Sequence, residues 1–358
     1  MHNVNSWQDK LQRRVWRRNA SICWFVLGIL VVSISGCSRP DANHLFDDYQ
    51  QRLDRVLKLT PAELQLAELP AIPPIRELQQ SIAASQLNLL DLVALRHCNL
   101  QQLVAERNNS LGKVMTSANM LGYELQLLGA IKPCLKHPAL TEKLQSELLQ
   151  IYQQKTQQLP LVLENFLISD NTLRKQLSGQ QRLLAKGASH AVTEPLIALK
   201  NLNRLKEHVQ RGQEQQYSTY TADFINQQLG VLYQGHFIAD WQYSLRRSNA
   251  WLTMLNQQLA EVPLDSLCRQ PAKIEILNNI LTQIFAARVQ QYLAELDGLS
   301  YQLLPQLELL YQDTALADSV EQRMAEPARQ LRMLLQQHVR WYQQLQQQCK
   351  LKLPTVGA

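Results

Sequence analysis

Apolar residues recur every three or four positions along most of the chain, which is the spacing of one face of an α-helix. The clearest case is the stretch from Lys273 to Leu296, where Ile274, Leu277 and Leu281 begin a wide apolar stripe. Alternating runs and hairpin dipeptides, which predict strands, are few. The pattern therefore predicts an all-α protein, a bundle of many helices built as one elongated domain or as two lobes.

Breaks in this periodicity divide the chain into predicted helices. They cover residues 41–59, 75–96, 98–107, 117–132, 140–160, 195–211, 224–259, 273–296 and 319–351. Residues 60–74 contain four prolines and are predicted to form a covering segment or a linker. Residues 178–195 are the least periodic part of the chain, so they mark either a boundary between two lobes or a surface loop.

The N-terminus has the pattern of a secretory signal peptide. Lys10 and four arginines precede the uncharged run ICWFVLGILVVSI at residues 22–34. A basic region, a short apolar region and an exit of small residues are typical of such signals. The apolar run has 13 residues, whereas a membrane-spanning helix needs about 20. A permanent single-pass anchor is therefore the less favoured interpretation.

The residues Ile34-Ser35-Gly36-Cys37 match the lipobox of bacterial lipoproteins. The thiol of Cys37 would take a diacylglyceryl group, and the small residues before it leave the cleaved bond accessible. Each buried methylene is worth about 0.8 kcal/mol, so several acyl chains hold a protein stably on a bilayer. In the lipoproteins that this leader resembles, a serine such as Ser38 implies transfer to the outer membrane. The alternative is an ordinary signal peptide with a chance cysteine.

These boundaries give the predicted organisation of the chain. Residues 1–36 are the lipoprotein signal peptide, 37–74 the lipidated tether with the first helix and the proline-rich segment, 75–190 an N-terminal helical lobe, 191–351 a C-terminal helical lobe, and 352–358 a tail. The leader contains five of the basic residues and one of the acids, so its removal lowers the net charge from +6 to +2. A nucleic-acid partner is not predicted, because no basic stripe remains to neutralise many phosphates.

Four cysteines follow Cys37, namely Cys98, Cys134, Cys268 and Cys349. An even number in an oxidising compartment predicts two disulfides, for which three connectivities are possible. We favour Cys98 with Cys134 and Cys268 with Cys349, because each pair brackets a local helical unit. A metal site is disfavoured because no pair has Cys-x-x-Cys spacing. We predict neither a metal nor another cofactor.

One polar segment between two apolar helices is the candidate for function. It runs from Arg96 through Cys98 into Glu106-Arg107-Asn108-Asn109-Ser110-Leu111-Gly112-Lys113. With the lipobox and with Cys134 at the end of the next helix, this segment resembles a family of predicted proteobacterial lipoproteins that is classed only as a domain of unknown function. The family pattern usually has serine where this chain has Asn109. The resemblance implies an envelope location and no known activity.

The chemistry of this segment suits a small anion or a carboxylate. The guanidinium of Arg107 is a planar fork of donors, and further donors or charge come from Asn108, Asn109, Ser110 and Lys113. The segment also partly resembles the Glu-Arg-Gly-x-Ser stretch of helical nitrate-sensing modules, although Asn108 replaces the glycine. The structural alternative is that Arg107 pairs with an acid such as Glu106 or Glu124, while the asparagines end one helix.

Catalytic signatures are weak by comparison. The chain has no Gly-x-Ser-x-Gly elbow, no P-loop and no His-Glu-x-x-His stretch. We therefore expect a non-catalytic lipoprotein of the periplasmic side of the outer membrane, which attaches to the membrane through Cys37 and binds or scaffolds another envelope protein. A small-ligand module centred on Arg107 is the first alternative, and a hydrolase acting on envelope components is the second.

Overall fold

A computed structural model describes residues 42–83, 95–96, 98, 100–109, 114–179 and 182–350. The residues from Ala42 onward form one compact unit. Within the described ranges the regular secondary structure is helical, without strands, so the predicted all-α class is confirmed. The predicted leader and Cys37 lie outside these ranges, and so do Ser110 and Lys113.

The helices follow the order expected from the apolar spacing. They are α1 (Ala42–Leu57), α2 (Ile75–Leu78), α3 (Leu100–Asn108), α4 (Ser117–Cys134), α5 (Glu142–Ser169), α6 (Asn171–Ser178), α7 (Thr193–Gln210), α8 (Ala222–Gly235), α9 (Phe237–Ala260), α10 (Leu264–Cys268), α11 (Pro271–Ile280), α12 (Gln290–Tyr311), α13 (Ala317–Val320) and α14 (Glu326–Gln348). Short 3₁₀ helices occupy Ala188–Val192 and Glu214–Thr219. The π-helical segments Leu281–Val289 and Glu321–Ala325 join α11 to α12 and α13 to α14.

Several helices begin at a threonine that caps them. Thr116, Thr141 and Thr221 immediately precede α4, α5 and α8, and each side-chain oxygen accepts a hydrogen bond from a backbone N–H of the first turn. The first N–H groups of a helix have no partner within the helix, so such a side chain stabilises the start by about 1 kcal/mol. These caps explain why the helices start where they do.

Two predicted helices differ from the structure. The helix predicted over 224–259 is interrupted at His236, whose φ of 47° lies in the left-handed region. The helix predicted from residue 75 ends at Leu78, and residues 79–83 are not helical. There the side-chain amide of Asn165 accepts from the backbone N–H of Gln80 and donates to its carbonyl. These two hydrogen bonds replace those that a helix would make.

The buried residues form two clusters. The main cluster includes Leu167 and Leu202, so it takes residues from both predicted lobes. A smaller cluster surrounds α3 and contains Leu100, Val104 and Ile131. The predicted disulfides are confirmed. The Cys98–Cys134 bridge ties the chain before α3 to the end of α4, and the Cys268–Cys349 bridge ties α10 to the end of α14. By the loop-entropy argument, each contributes up to about 4 kcal/mol.

A chain of buried hydrogen bonds joins α1 to α9 and α14. The hydroxyl of Tyr49 lies 2.7 Å from Nε2 of His338 and 2.7 Å from the hydroxyl of Tyr342. Nδ1 of His338 lies 2.8 Å from Oδ1 of Asn256, whose Nδ2 donates to the carbonyl of Leu334. Around this chain, Phe285 and Trp251 pack against Tyr49. Buried polar groups are expensive unless paired, and here each finds a partner.

The orientation of Asn256 determines the direction of these bonds. Because its Nδ2 donates to Leu334, its Oδ1 accepts the proton on Nδ1 of His338. Nε2 of His338 then accepts from Tyr49, and the oxygen of Tyr49 accepts from Tyr342. Burial lowers the pKa of His338 to about 3. The histidine is therefore neutral in the folded protein at neutral pH.

This network predicts a specific dependence of stability on pH. The folded pKa of His338 is depressed below its ordinary value of 6.5, so the unfolded chain binds a proton there between pH 6.5 and 3 while the folded chain does not. The free energy of unfolding should therefore decrease as the pH is lowered through this window. The contribution of His338 to this decrease is about 2 kcal/mol between pH 7 and pH 5. Urea unfolding should show that decrease in the wild type.

The His338→Gln variant should lack this part of the decrease, since it has no titrating ring. The His44→Gln variant is the matched control, because His44 is exposed on α1. It should retain the full wild-type dependence. Equal pH dependence of the wild type and His338→Gln would contradict the assignment.

Candidate functional site

The structure describes three of the five predicted ligand-binding residues. Arg107 and Asn108 are half-buried in the last turn of α3, and Asn109 is exposed just after it. The backbone N–H of Asn109 donates to the carbonyl of Ala105 and closes that turn. Burial raises the pKa of Tyr123, and the charge of Arg107 partly opposes this. Arg107 therefore lies close to α4, and its ligand-binding role stays a prediction.

A pocket of about 720 Å³ lies beside this segment. The Cys98–Cys134 bridge lines it together with Glu106, His137 and Ser218, whereas Arg107, Asn108 and Asn109 are not among its described lining residues. Glu106 places a carboxylate in this pocket. That charge is unfavourable for an anion, so the pocket does not match the ligand that the sequence suggested.

A second site is formed by the proline-rich segment that precedes and follows α2. We call residues 60–83 the strap. Side chains of the bundle donate hydrogen bonds to its main-chain carbonyls at intervals along its length: Gln258 to Thr60, Arg246 to Ala67, Arg323 to Pro70, Arg174 to Pro73, Asn165 to Gln80 and Gln158 to Ala83. The helical bundle therefore holds a largely extended chain through its backbone. The prediction of a covering segment is consistent with this arrangement.

Apolar side chains fasten the strap between these hydrogen bonds. Leu64, Ile72, Leu78 and Ile82 are half-buried against the main cluster, while most other strap residues are exposed. Prolines disfavour a helix before them and have no N–H to satisfy, but they keep their carbonyls. A proline-rich strap therefore suits a surface that supplies donors.

Arg323 is the most buried donor to the strap. Its side chain is on the π-helical segment before α14, and the residue is 5% exposed. It donates to the carbonyls of Leu177 and Ser178 at the end of α6, as well as to Pro70. The last carbonyls of a helix favour a cation. Burial lowers the pKa of Arg323, and the nearby charge of Arg246 lowers it further. The three described acceptors of its hydrogen bonds are uncharged carbonyl oxygens.

A groove of about 880 Å³ separates part of the strap from α9 and α14. Arg246 and Asn249 line it, and both are on α9, three positions apart. Nε of Arg246 and Oδ1 of Asn249 are buried and have no hydrogen-bond partner among the described residues. Leu66, Met254 and Pro327 supply apolar surface. The groove therefore combines apolar walls with two side chains that each carry one buried polar atom without a described partner.

The apolar spacing of the sequence did not predict this groove. A signal was present, because Asn249 and Arg323 stand at buried positions of otherwise apolar helical faces. Asn249 falls between Leu245 and Leu252, and Arg323 falls between Val320 and Pro327. Polar residues at such positions need partners, but sequence spacing does not say from which segment the partner comes.

The fold and this site define the class of protein: an all-α bundle with two disulfides and a main-chain strap. The chain belongs to the family described as protein of unknown function DUF3080, whose sequence profile matches residues 46–353. That range includes both disulfides, the strap and the groove. No curated protein and no solved structure matches the chain. None of the helices in the described part of the chain has the length and apolar character needed to cross a membrane.

The role of Arg323 in holding the strap can be tested by substitution. The Arg323→Leu change leaves three carbonyls without their donor, so we expect the free energy of unfolding to fall by about 2 kcal/mol. Proteolytic cleavage within residues 60–74 should become faster, because the strap loses its most buried anchor. Urea unfolding and limited proteolysis measure the two effects.

The matched control is Arg329→Leu. Arg329 is exposed on α14 and pairs with Glu321, and exposed pairs contribute at most about 1 kcal/mol. Its loss should leave proteolytic cleavage of the strap unchanged. Equal effects of the two substitutions on strap cleavage would contradict the role of Arg323.

Proposed function

We propose that this protein is a non-catalytic polypeptide-binding or scaffolding module of the cell envelope. The observation that supports it best is the strap, whose main-chain carbonyls accept from six side chains of the bundle. Main-chain hydrogen bonds depend little on the bound side chains, and they are a recurring basis of peptide recognition. The surface of this bundle is thus suited to hold an extended polypeptide.

The alternatives have less structural support. A small-anion module centred on Arg107 would face the carboxylate of Glu106 in the adjoining pocket. For a hydrolase, His338 would be a natural base, but both of its ring nitrogens are engaged within the core. A general base must reach the proton that it abstracts. Polypeptide binding requires no such group.

We also propose that a lipid on Cys37 holds the protein on the periplasmic side of the outer membrane. The lipobox supports this location, and α1 begins at Ala42, five positions after Cys37. The buried hydrogen bonds of Tyr49 link α1 to the rest of the bundle.

The anchor predicts where a variant protein is found after cell fractionation. Cys37→Ala removes the acylated thiol, so the protein should move from the outer-membrane fraction to the soluble periplasmic fraction or remain unprocessed in the inner membrane. Cys23→Ala is the matched control, since that cysteine is removed with the leader and should have no effect. Cys37→Ala protein that stays in the outer membrane with unchanged electrophoretic mobility would contradict the proposal.

Binding of another protein is tested by crosslinking in intact cells. A lysine-reactive crosslinker should give discrete adducts of this chain with an envelope protein, identified by mass spectrometry. The adducts should decrease in the Cys37→Ala strain, because the variant is no longer held at the membrane. Absence of any protein adduct in the wild type, under conditions that crosslink a known envelope complex, would overturn the proposed function.

A further inference from the structure

The Cys98–Cys134 bridge lies in the wall of a pocket. Both cysteines line the pocket of about 720 Å³ beside α3, so a small thiol that enters this pocket lies next to the disulfide. Cys98 is half-buried, whereas Cys134 is 3% exposed, so Cys98 is the more accessible of the two. Thiol–disulfide exchange requires attack of a thiolate on one sulfur, and its rate depends on this access. The pocket therefore gives a reductant a route to the bridge.

The same bridge fixes the start of a short helix. Helix α3 has nine residues, of which Leu100 and Val104 are buried. It packs against α4 within the smaller cluster, and the disulfide joins Cys98, two positions before α3, to the last residue of α4. An isolated helix shorter than about 12 residues is marginal in water. Without the bridge, α3 would therefore depend on a few apolar contacts.

The Cys268–Cys349 bridge has a different setting. Cys349 directly follows α14, whose last turns bury Trp341, Tyr342 and Leu345 in the main cluster. These large side chains keep the end of α14 in place when the bridge is broken. The two thiols then stay close together, and a high effective concentration of one thiol at the other favours the disulfide.

The response to reduction should therefore differ between the two bridges. A region with few buried apolar contacts opens at a lower free energy than the main core. When α3 opens, Cys98 moves away from Cys134, and the lower effective concentration of the two thiols favours the reduced state. The last turn of α3 contains Arg107 and Asn108, so opening also displaces the polar segment that the sequence analysis selected.

We infer that the Cys98–Cys134 bridge is a redox-sensitive switch, at which a dithiol reductant releases α3 from α4. One thiolate of the dithiol attacks Sγ of Cys98 and forms a mixed disulfide, while the bond to Cys134 breaks and Cys134 leaves as a thiolate that takes a proton. The second thiolate of the reductant attacks the reductant's own sulfur in the mixed disulfide, and Cys98 leaves and takes a proton. Two electrons and two protons thus pass to the protein, and the reductant becomes a disulfide. This switch does not depend on the proposed function.

The test equilibrates the purified, oxidised full chain with mixtures of reduced and oxidised dithiothreitol. Free thiols are then alkylated, and mass spectrometry of the peptides reads each cysteine separately. Cys98 and Cys134 should become alkylated together. Their midpoint should lie at a ratio of reduced to oxidised dithiothreitol about tenfold lower than that of Cys268 and Cys349, because only the first pair separates on reduction.

The structural response is measured on the same samples. Trypsin should cleave after Arg107 at least about tenfold faster once the Cys98–Cys134 bridge is reduced, since cleavage requires local opening. Far-ultraviolet circular dichroism should lose only the signal of about one short helix. Return to the oxidised mixture should restore resistance to trypsin.

Two double variants assign the response to one bridge. The variant with Cys98→Ser and Cys134→Ser should be cleaved rapidly after Arg107 with or without dithiothreitol. The matched control, with Cys268→Ser and Cys349→Ser, also lacks one bridge, but its cleavage should be slow when oxidised and fast when reduced. The titration of the wild type requires neither variant, so the test holds even where a variant does not fold.

Three outcomes overturn the inference. The first is reduction of both bridges at the same midpoint, or of Cys268–Cys349 before Cys98–Cys134. The second is reduction of Cys98–Cys134 without faster cleavage after Arg107, since α3 would then stay in place. The third is loss of most of the helical signal on reduction of Cys98–Cys134, since the bridge would then hold the whole fold and not one segment.

Discussion

Polar side chains buried on the helices must be hydrogen-bonded, and this constraint shapes the surface of the bundle as much as its interior. Arg323, Asn165 and Gln258 are each more than nine-tenths buried, and each donates to a strap carbonyl. A buried donor without a partner destabilises a protein by about 1–3 kcal/mol. The strap therefore supplies acceptors in addition to helical carbonyls such as that of Leu334, which accepts from Asn256.

The same constraint operates in the core. Asn256, His338 and Tyr49 come from α9, α14 and α1, and their hydrogen bonds join three helices that are distant in sequence. Each bond needs the next to be correctly oriented, so the network specifies one arrangement of the helices in a way that apolar contacts alone do not. It also secures α1, the helix closest in sequence to the proposed lipid anchor.

The strap and the groove belong to the same face of the bundle. The helices hold one extended segment of their own chain through its backbone, and Arg246 is one of the side chains that donate to it. Glu63 and Glu68 of the strap line the groove. The bundle therefore binds the strap, and the strap in turn forms one wall of the groove.

The sequence by itself determined the helical class and favoured, among three connectivities, the two disulfide pairs that the structure has, because these depend on local spacing and on residue type. It did not determine the end of α2, the break at His236 or the groove. The side chain of Asn165 forms hydrogen bonds with the backbone of Gln80, which is 85 positions away, and these bonds replace a continuation of α2. Arg323 reaches Pro70 across 253 positions. Apolar periodicity records which face of a helix is buried, but only the tertiary structure brings a buried polar side chain to its partner.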